Sequence, residues 1–221
     1  AGSSLGKGFT RLARLPQADL RASLLRWSSY FFPQQKAALW REPYRSQLQL
    51  EAAESLLVEA FEGAPARSWL DRSLYMDNTT YLPGALLVKA DRMLMAHSVE
   101  GRSPFLDHEL ASWAARLPAP MKVRGRQGKW LLRRAFADLL PAEVNRRGKQ
   151  GFGIPLNTWF RGPLAGWARD LLLDPRRKLH EWFEPAPLNQ LLEEHAGGRE
   201  DHGKRIYTLA MLALWLESLP G

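Results

Sequence analysis

The 221-residue chain contains no cysteine. That excludes disulfides, thiolate zinc sites and a cysteine nucleophile on this chain, and it fits a cytoplasmic setting. No run of 18 apolar residues occurs, so no membrane span is expected. No basic segment followed by an apolar one opens the chain, so no secretory leader is expected. Strand signals are almost missing, and no internal repeat is found. There is no Ser-His-Asp signature, no metal-ligand spacing and no G-x-x-x-x-G-K phosphate loop. The five histidines are scattered and read as surface or helix-end residues rather than ligands.

What is present reads as helix. An apolar fraction of 45% and a charged fraction of 24% are those of a soluble globular protein. Periodicity near 3.6 predicts helices over Leu20–Tyr30, Gln34–Trp40 and Leu48–Phe61. Pro83, tolerated in a first turn, is expected to open a helix with Leu86, Leu87, Ala90, Met93 and Leu94 on one stripe. Asp107 is an expected N-cap for a helix carrying Leu110, Trp113, Ala114 and Leu117, which Pro118 ends. A charged loop is expected from Ala119 to Gly128, then helices at Trp130–Leu140, Leu164–Leu173, Leu188–His195 and Lys204–Leu219. The last places Ile206, Leu209, Ala210, Ala213 and Leu216 on one face. Connections are short, so residues 1–221 read as one helical domain, with Asp174–Pro187 a weak joint. The nine tryptophans read as core and groove fillers.

Charge is unevenly placed. Between Arg116 and Lys149 stand ten Lys or Arg against two acids, an excess equal to the whole chain's net charge of +8. A field of this kind suits nucleic acid or the phosphates of a nucleotide, or it is a solvated basic face. Within it lies Arg147-Gly148-Lys149-Gln150-Gly151-Phe152-Gly153, where three glycines permit close backbone approach and two cations flank the first. Backbone N–H groups and charge together could hold a phosphate there. Alone, such a loop is as readily a structural connection.

A second unusual stretch is "SVEGRSPFLDHEL", Ser98 to Leu110. Glu100 and Arg102 stand two apart, and Pro104 disfavours helix at Ser103. The chain therefore leaves helical geometry between them. Phe105 and Leu106 are expected to anchor the turn in the core before Asp107 caps the next helix. Glu100 and Arg102 read either as site residues or as a buried ion-pair brace. For Asp91 and Arg92, bracing pairs and ligand contact remain equally open.

Together, "YLPGALLVKADRMLMAHSVEGRSPFLDHELASWAARLP" and "GKWLLRRAFADLLPAEVNRRGKQGFGIP" closely resemble the C-terminal half of the synthetase domain of glutamine-dependent asparagine synthetases. The resemblance is strongest over residues 77–159 and holds in order, spacing and residue type. It implies a mostly α chain: the helical C-terminal portion of an α/β, adenine-nucleotide α-hydrolase-like synthetase domain whose parallel sheet is missing here. It implies the chemistry as well. Aspartate's side-chain carboxylate attacks the α-phosphate of Mg-ATP, pyrophosphate leaves, and ammonia from a glutaminase domain displaces AMP from β-aspartyl-AMP. ATP and magnesium would serve the complete enzyme, with the magnesium ligands outside this chain.

Residue by residue, Lys149 falls on the family's loop lysine, and Arg147, Gln150 and Gly151 belong to the same motif. Lys129 and Arg133 match "K-x-x-L-R". Lys89, Asp91 and Arg92 match "vKvDR", and Glu100, Arg102 and Asp107 match "E-x-R-x-PFLD". Lys149 and Glu100 are the expected catalytic residues. Lys129, Arg147, Lys89, Arg102, Gln150 and Gly151 are expected around the phosphates. Asp91, Arg92, Asp107 and Arg133 are expected as support. The family's Ser-Gly-Gly-x-Asp-Ser and Ser-Gly-x-Gly-x-Asp-Glu motifs are absent, and Ala1-Gly2 resembles the tail of the segment after the second. The 221 residues alone are therefore expected to be inactive, with the rest of the synthetase as partner and a homo-oligomer allowed. The alternatives are a fragment of a related amide-forming synthetase, natural-product or polysaccharide-associated, and a basic helical nucleic-acid-binding module.

Overall fold

The computed structural model describes residues 29–125, 127–146 and 153–220. The chain divides into two compact units, one of Ala1–Leu24 with Ser55–Gly151 and one of Leu25–Glu54 with Phe152–Gly221. Helix predominates throughout the described residues, as the periodicity predicts. None of the described helices is long and apolar enough to cross a membrane.

The second unit holds the larger core. Its helices are α1 (Pro33–Leu39), α2 (Tyr44–Gln47), the first turn of α3 (Ala52–Glu62), then α10 (Leu156–Arg161), α11 (Ala165–Leu173), α12 (Leu179–Trp182), α13 (Pro185–Ala196) and α14 (Gly203–Ser218). The predicted stripe of α14, Ile206, Leu209, Ala210, Ala213 and Leu216, lies at 0–3% exposure. It packs with Phe160, Ala168, Leu171, Leu172, Leu188 and Leu192. Gly203 opens α14 against α10, where a Cβ would stand 2.9 Å from the Asn157 backbone nitrogen, so no larger residue fits unshifted. The segment read as a weak joint is instead part of this core: Leu179 and Phe183 are buried. Its polypeptide has local apolar anchors, which the loop-like composition of Asp174–Pro187 concealed. The Lys36 ammonium meets the buried Glu54 carboxylate at 2.7 Å, closing α1 onto α3.

The first unit continues α3 and adds α4 (Trp69–Thr79), a π-helical turn (Leu82–Leu87), α5 (Val88–Met95), α6 (His108–Arg116), α7 (Ala119–Lys122), α8 (Trp130–Ala135) and α9 (Ala142–Arg146). Pro83 stands in the first turn of a helical segment, as expected, but that turn is π-helical and joins α4 to α5. Proline has no N–H to donate and its ring crowds the preceding turn, and a widened turn accommodates both. Thr79 and Thr80 hydroxyls donate to the carbonyls of Tyr75 and Met76 at 2.9 and 2.7 Å, in the turn before it. The charged loop expected at Ala119–Gly128 is more regular than composition suggests. It forms α7 and a two-residue antiparallel ribbon, β1 (Val123–Arg124) with β2 (Gln127–Gly128), in which Val123 faces Gly128 and Arg124 faces Gln127. The helix expected to run to Leu140 ends at Ala135 and passes into turns.

Burial in this unit is confined to few residues. Phe61 and Met76 form its small core with Leu57, Ala60 and Trp69 beside them. The apolar stripe of the π-turn and α5 is exposed, Met93 at 62%. Tryptophan likewise plays mixed roles. Trp40 and Trp182 stack at 6.1 Å between centroids, whereas Trp113, Trp159, Trp167 and Trp215 are exposed rather than core.

Candidate active-site face

The motif residues of the first unit are presented on α5, the turn after it and α8. Leaving α5, Ser98 takes a left-handed conformation (φ 55°), and Val99 N–H returns to the Leu94 carbonyl at 3.0 Å. Gly101 then lies directly against the Leu94 side chain, where any Cβ would collide. This close approach reverses the chain and sets Glu100 and Arg102 side by side, the Arg102 Nε–H donating to Glu100 Oε1 at 2.9 Å. Ser103 is extended, as a residue before proline should be, and Pro104–Leu106 forms a 3₁₀ turn. Asp107 Oδ1 accepts from the Leu110 N–H at 2.9 Å, the expected N-cap of α6.

Two details differ from expectation. Glu100 and Arg102 do pair, but their side chains are 71% and 85% exposed, so the pair is not a buried brace. Phe105 and Leu106 do not anchor the turn in a core: both are exposed, Phe105 at 65%.

Lys89, Asp91 and Arg92 lie exposed on α5, and their side chains make no ion pair or hydrogen bond with other described residues. Lys129 is left-handed (φ 55°, ψ 38°) as the N-cap of α8, and its carbonyl accepts from Arg133 N–H at 3.0 Å. The Arg124 guanidinium stands 5.1 Å from the Trp130 ring centroid, so one cation of the basic stretch is committed to an aromatic face. Arg147, Lys149, Gln150 and Gly151 lie outside the described residues. Glu100 and Arg102 are thus a pair of expected site residues in direct side-chain contact.

Composition alone gave no sign of the long-range polar contacts in this unit. Lys122 Nζ reaches Asp71 Oδ1 at 2.6 Å and the Ala115 carbonyl at 2.8 Å, joining α7 to α4 and to the end of α6. Burial pushes the Asp71 carboxyl up, but the Lys122 ammonium and the Ser68 hydroxyl outweigh it and hold the group below its ordinary range. On α4, Asp77 is pushed upward by burial alone. These pairs join residues far apart in sequence, so spacing carries no signal of them. Nor do three metal-ligating side chains of this unit converge among the described residues; the one such group, Glu194, Glu200 and His202, belongs to the second unit. There the histidines depart from expectation: His180, His195 and His202 are buried, although the latter two do stand at helix ends.

Comparison with known proteins agrees with the motifs. The Asparagine synthase family model matches residues 3–217. A putative glutamine-hydrolysing asparagine synthetase of Mycobacterium tuberculosis is 39% identical over 145 residues, 65% of this chain and 22% of that protein. Asparagine synthetase 1 of Bacillus subtilis is 31% identical over 157 residues, 70% of this chain and 24% of its own length. The amidase chry2 of Gibberella zeae is 29% identical over 138 residues, 57% of this chain and 20% of that protein. The chain thus spans between a fifth and a quarter of these relatives. No solved structure matches.

Proposed function

The chain belongs to the asparagine synthase family, and on that premise we propose that it is the C-terminal helical part of an ATP-dependent, glutamine-hydrolysing asparagine synthetase. The carrying observation is the ordered run of family motifs through Lys89, Glu100, Arg102, Lys129 and Lys149, inside a family match that covers nearly the whole chain. In the complete enzyme a carboxylate oxygen of aspartate attacks the α-phosphorus of ATP, and the bond to pyrophosphate breaks. Ammonia then attacks the acyl carbon of β-aspartyl-AMP, and AMP leaves.

This chain's part in that chemistry is electrostatic. Pyrophosphate departure concentrates negative charge, so cations held in place act mainly on the transition state. Lys149 supplies the principal charge, with Arg147, Gln150 and Gly151 of its loop, Lys129 and Lys89 around the phosphates. The α5 cations, which meet no carboxylate among the described residues, suit that work. Glu100 borders the reacting carboxyl, and its partner Arg102 stands with the cations around the phosphates. Asp91, Arg92, Asp107 and Arg133 support these groups. Magnesium neutralises the phosphates when bound. Its ligands are assigned to the part of the synthetase outside this chain, and none of the steps above depends on a metal held here.

The exposed apolar residues of α5, the 3₁₀ turn and α6 are the face on which the remaining synthetase domain packs. The isolated chain is accordingly inactive. Pyrophosphate release with aspartate and ATP tests both statements. We expect none from the 221 residues alone, and activity once the rest of the synthetase is supplied. In that complete enzyme Lys149→Ala should slow adenylation by ~10²–10³ without unfolding it. Unchanged release would remove Lys149 from the site. Similarity to the amidase chry2 favours one second reading, an amide synthetase acting on another carboxylate. A panel of carboxylic acids in the same assay separates the two.

A further inference from the structure

The corner between α13 and α14 holds two buried imidazoles that the proposed chemistry does not use. His195, in the last turn of α13, is fully buried, and His202, the N-cap of α14, nearly so. The His202 backbone N–H donates to His195 Nδ1 at 3.0 Å. Only an unprotonated ring nitrogen accepts from an N–H, so His195 carries its proton on Nε2, which donates to the Asn157 carbonyl at 3.2 Å. The His195 ring is therefore neutral, its tautomer fixed by an obligate donor. At His202 the Arg205 guanidinium, which can only donate, stands 2.9 Å from Nδ1, and Nε2 lies 2.8 Å from Glu194 Oε2.

The charged groups around His195 come from three helices and the turn between two of them. From α10, Arg161 Nε–H donates to the His195 backbone carbonyl at 2.8 Å. From the turn, Asp201 Oδ1 lies 3.8 Å from Nδ1 and accepts the Gly203 N–H at 3.0 Å. Glu200 lies 3.7 Å from the His202 ring and 3.1 Å from Arg205. Glu194 on α13 and Arg205 on α14 complete the set, with Arg199 in the turn between them. Three potential ligand atoms of Glu194, Glu200 and His202 fall within 4.8 Å of one another. A guanidinium donor on Nδ1 is the reverse of the acceptor that orients a metal-bound imidazole. The group to consider here is a proton.

We propose that this corner is a proton-sensitive latch. Proton uptake on Nδ1 of His195 removes the acceptor of the His202 N–H, sets two donors face to face and opens the first turn of α14. Relaxation within the closed corner is blocked, because Gly203 already lies against the Asn157 backbone. Burial, then the Arg161 charge, hold the His195 pKa below its ordinary value, outweighing the Asn157 carbonyl and Asp201. An open corner lets His195 titrate near ~6.5 and so binds more protons than the closed one below that pH. Closure is thus fully favoured above ~6.5 and weakens as pH falls toward the folded pKa. Opening also frees Arg205, whose Nε–H holds the Tyr30 carbonyl at 2.8 Å.

Amide exchange and ring ¹⁵N shifts of the full 221-residue chain between pH 8 and 5 test this. At pH 8 the His195 ring should show a bare Nδ1 and a protonated Nε2. Protection of the His202 amide, corrected for intrinsic exchange, should fall below pH 6.5 by up to ~10-fold per pH unit, one linked proton's worth. Amides in the middle of α11 should hold. His195→Asn keeps an acceptor near Nδ1 without a proton site and should abolish that slope. Should this variant not fold, the wild-type ring shifts decide alone. A His195 ring charged at pH 7, or His202 protection flat from pH 8 to 5, overturns the latch.

Discussion

Helices α5 and α14 carry the same kind of apolar stripe and meet opposite fates. On α14 the stripe is buried completely beneath α10, α11 and α13. From the π-turn through α5, Leu86, Leu87, Met93 and Leu94 stay open to solvent. The difference lies in the chain neighbours of each helix. α14 closes a run of short amphipathic helices that pack over it. The π-turn joins α4 to α5, and at the chain reversal Gly101 lies against the Leu94 side chain, which stays partly exposed. A periodic stripe specifies which side of a helix is apolar; the cover must come from somewhere else. In the proposed function that cover is the remainder of the synthetase domain.

Substitutions on the two stripes should therefore differ most. Ile206→Ala removes fully buried carbons from the larger core and should cost ~2–5 kcal/mol in a urea melt of the chain. Met93→Ala, at a site 62% exposed, should stay within about 0.5 kcal/mol. Equal costs would mean that α5 is covered in the free chain and would end the contrast between the two helices.

A smaller effect probes what holds the first unit despite its thin core. Lys122→Met removes the ammonium that ties Asp71 to α7, and roughly 1 kcal/mol should be lost at pH 7. Asp71 has a folded pKa below its unfolded value, so its contribution is present above ~3.8 and disappears as pH falls through the folded pKa. Wild type and Lys122→Met should accordingly converge in stability as pH falls below ~3.8. A gap that widens with acid would contradict this pairing. Asp107→Ala should cost ~1 kcal/mol by uncapping α6, read as lost helical ellipticity or a lower melting midpoint.

Helix identity was legible in the sequence wherever a stripe, a cap or a proline marked it. The five apolar positions of α14, the Asp107 cap and the break at Ser103–Pro104 all stand where spacing puts them. Pro83 marked a first turn correctly, but nothing in one dimension showed that this turn is π-helical. Buried Leu179 and Phe183 were masked by surrounding charge and proline. Long-range polar pairs left no trace: Lys122 finds Asp71 across 51 positions, and His195 finds Asn157 across 38. The site's basic loop was legible as a motif, but Arg147, Lys149, Gln150 and Gly151 fall outside the described residues. Glu100 and Arg102 were foreseen as neighbours, and only coordinates could show that water surrounds them.

That last pair gives the smallest expected stability effect and a sharp distinction between support and function. An ion pair this exposed gains little Coulomb energy over hydration and costs side-chain entropy. Glu100→Gln should therefore change the melting of the isolated chain by less than ~0.5 kcal/mol, and Arg102→Gln the same. In the proposed complete synthetase Glu100 would border the reacting carboxyl and Arg102 the phosphates, in a site that excludes water and strengthens charge interactions. There Glu100→Gln should lower the rate of amide formation well beyond anything its stability effect explains, with the protein still folded. A double variant, Glu100→Gln with Arg102→Gln, should show no added stability loss. If Glu100→Gln destabilises the free chain by about 2 kcal/mol or more yet leaves turnover in the complete enzyme intact, the pair is a brace after all. The motif would then mark the turn between α5 and α6 rather than the chemistry beside it.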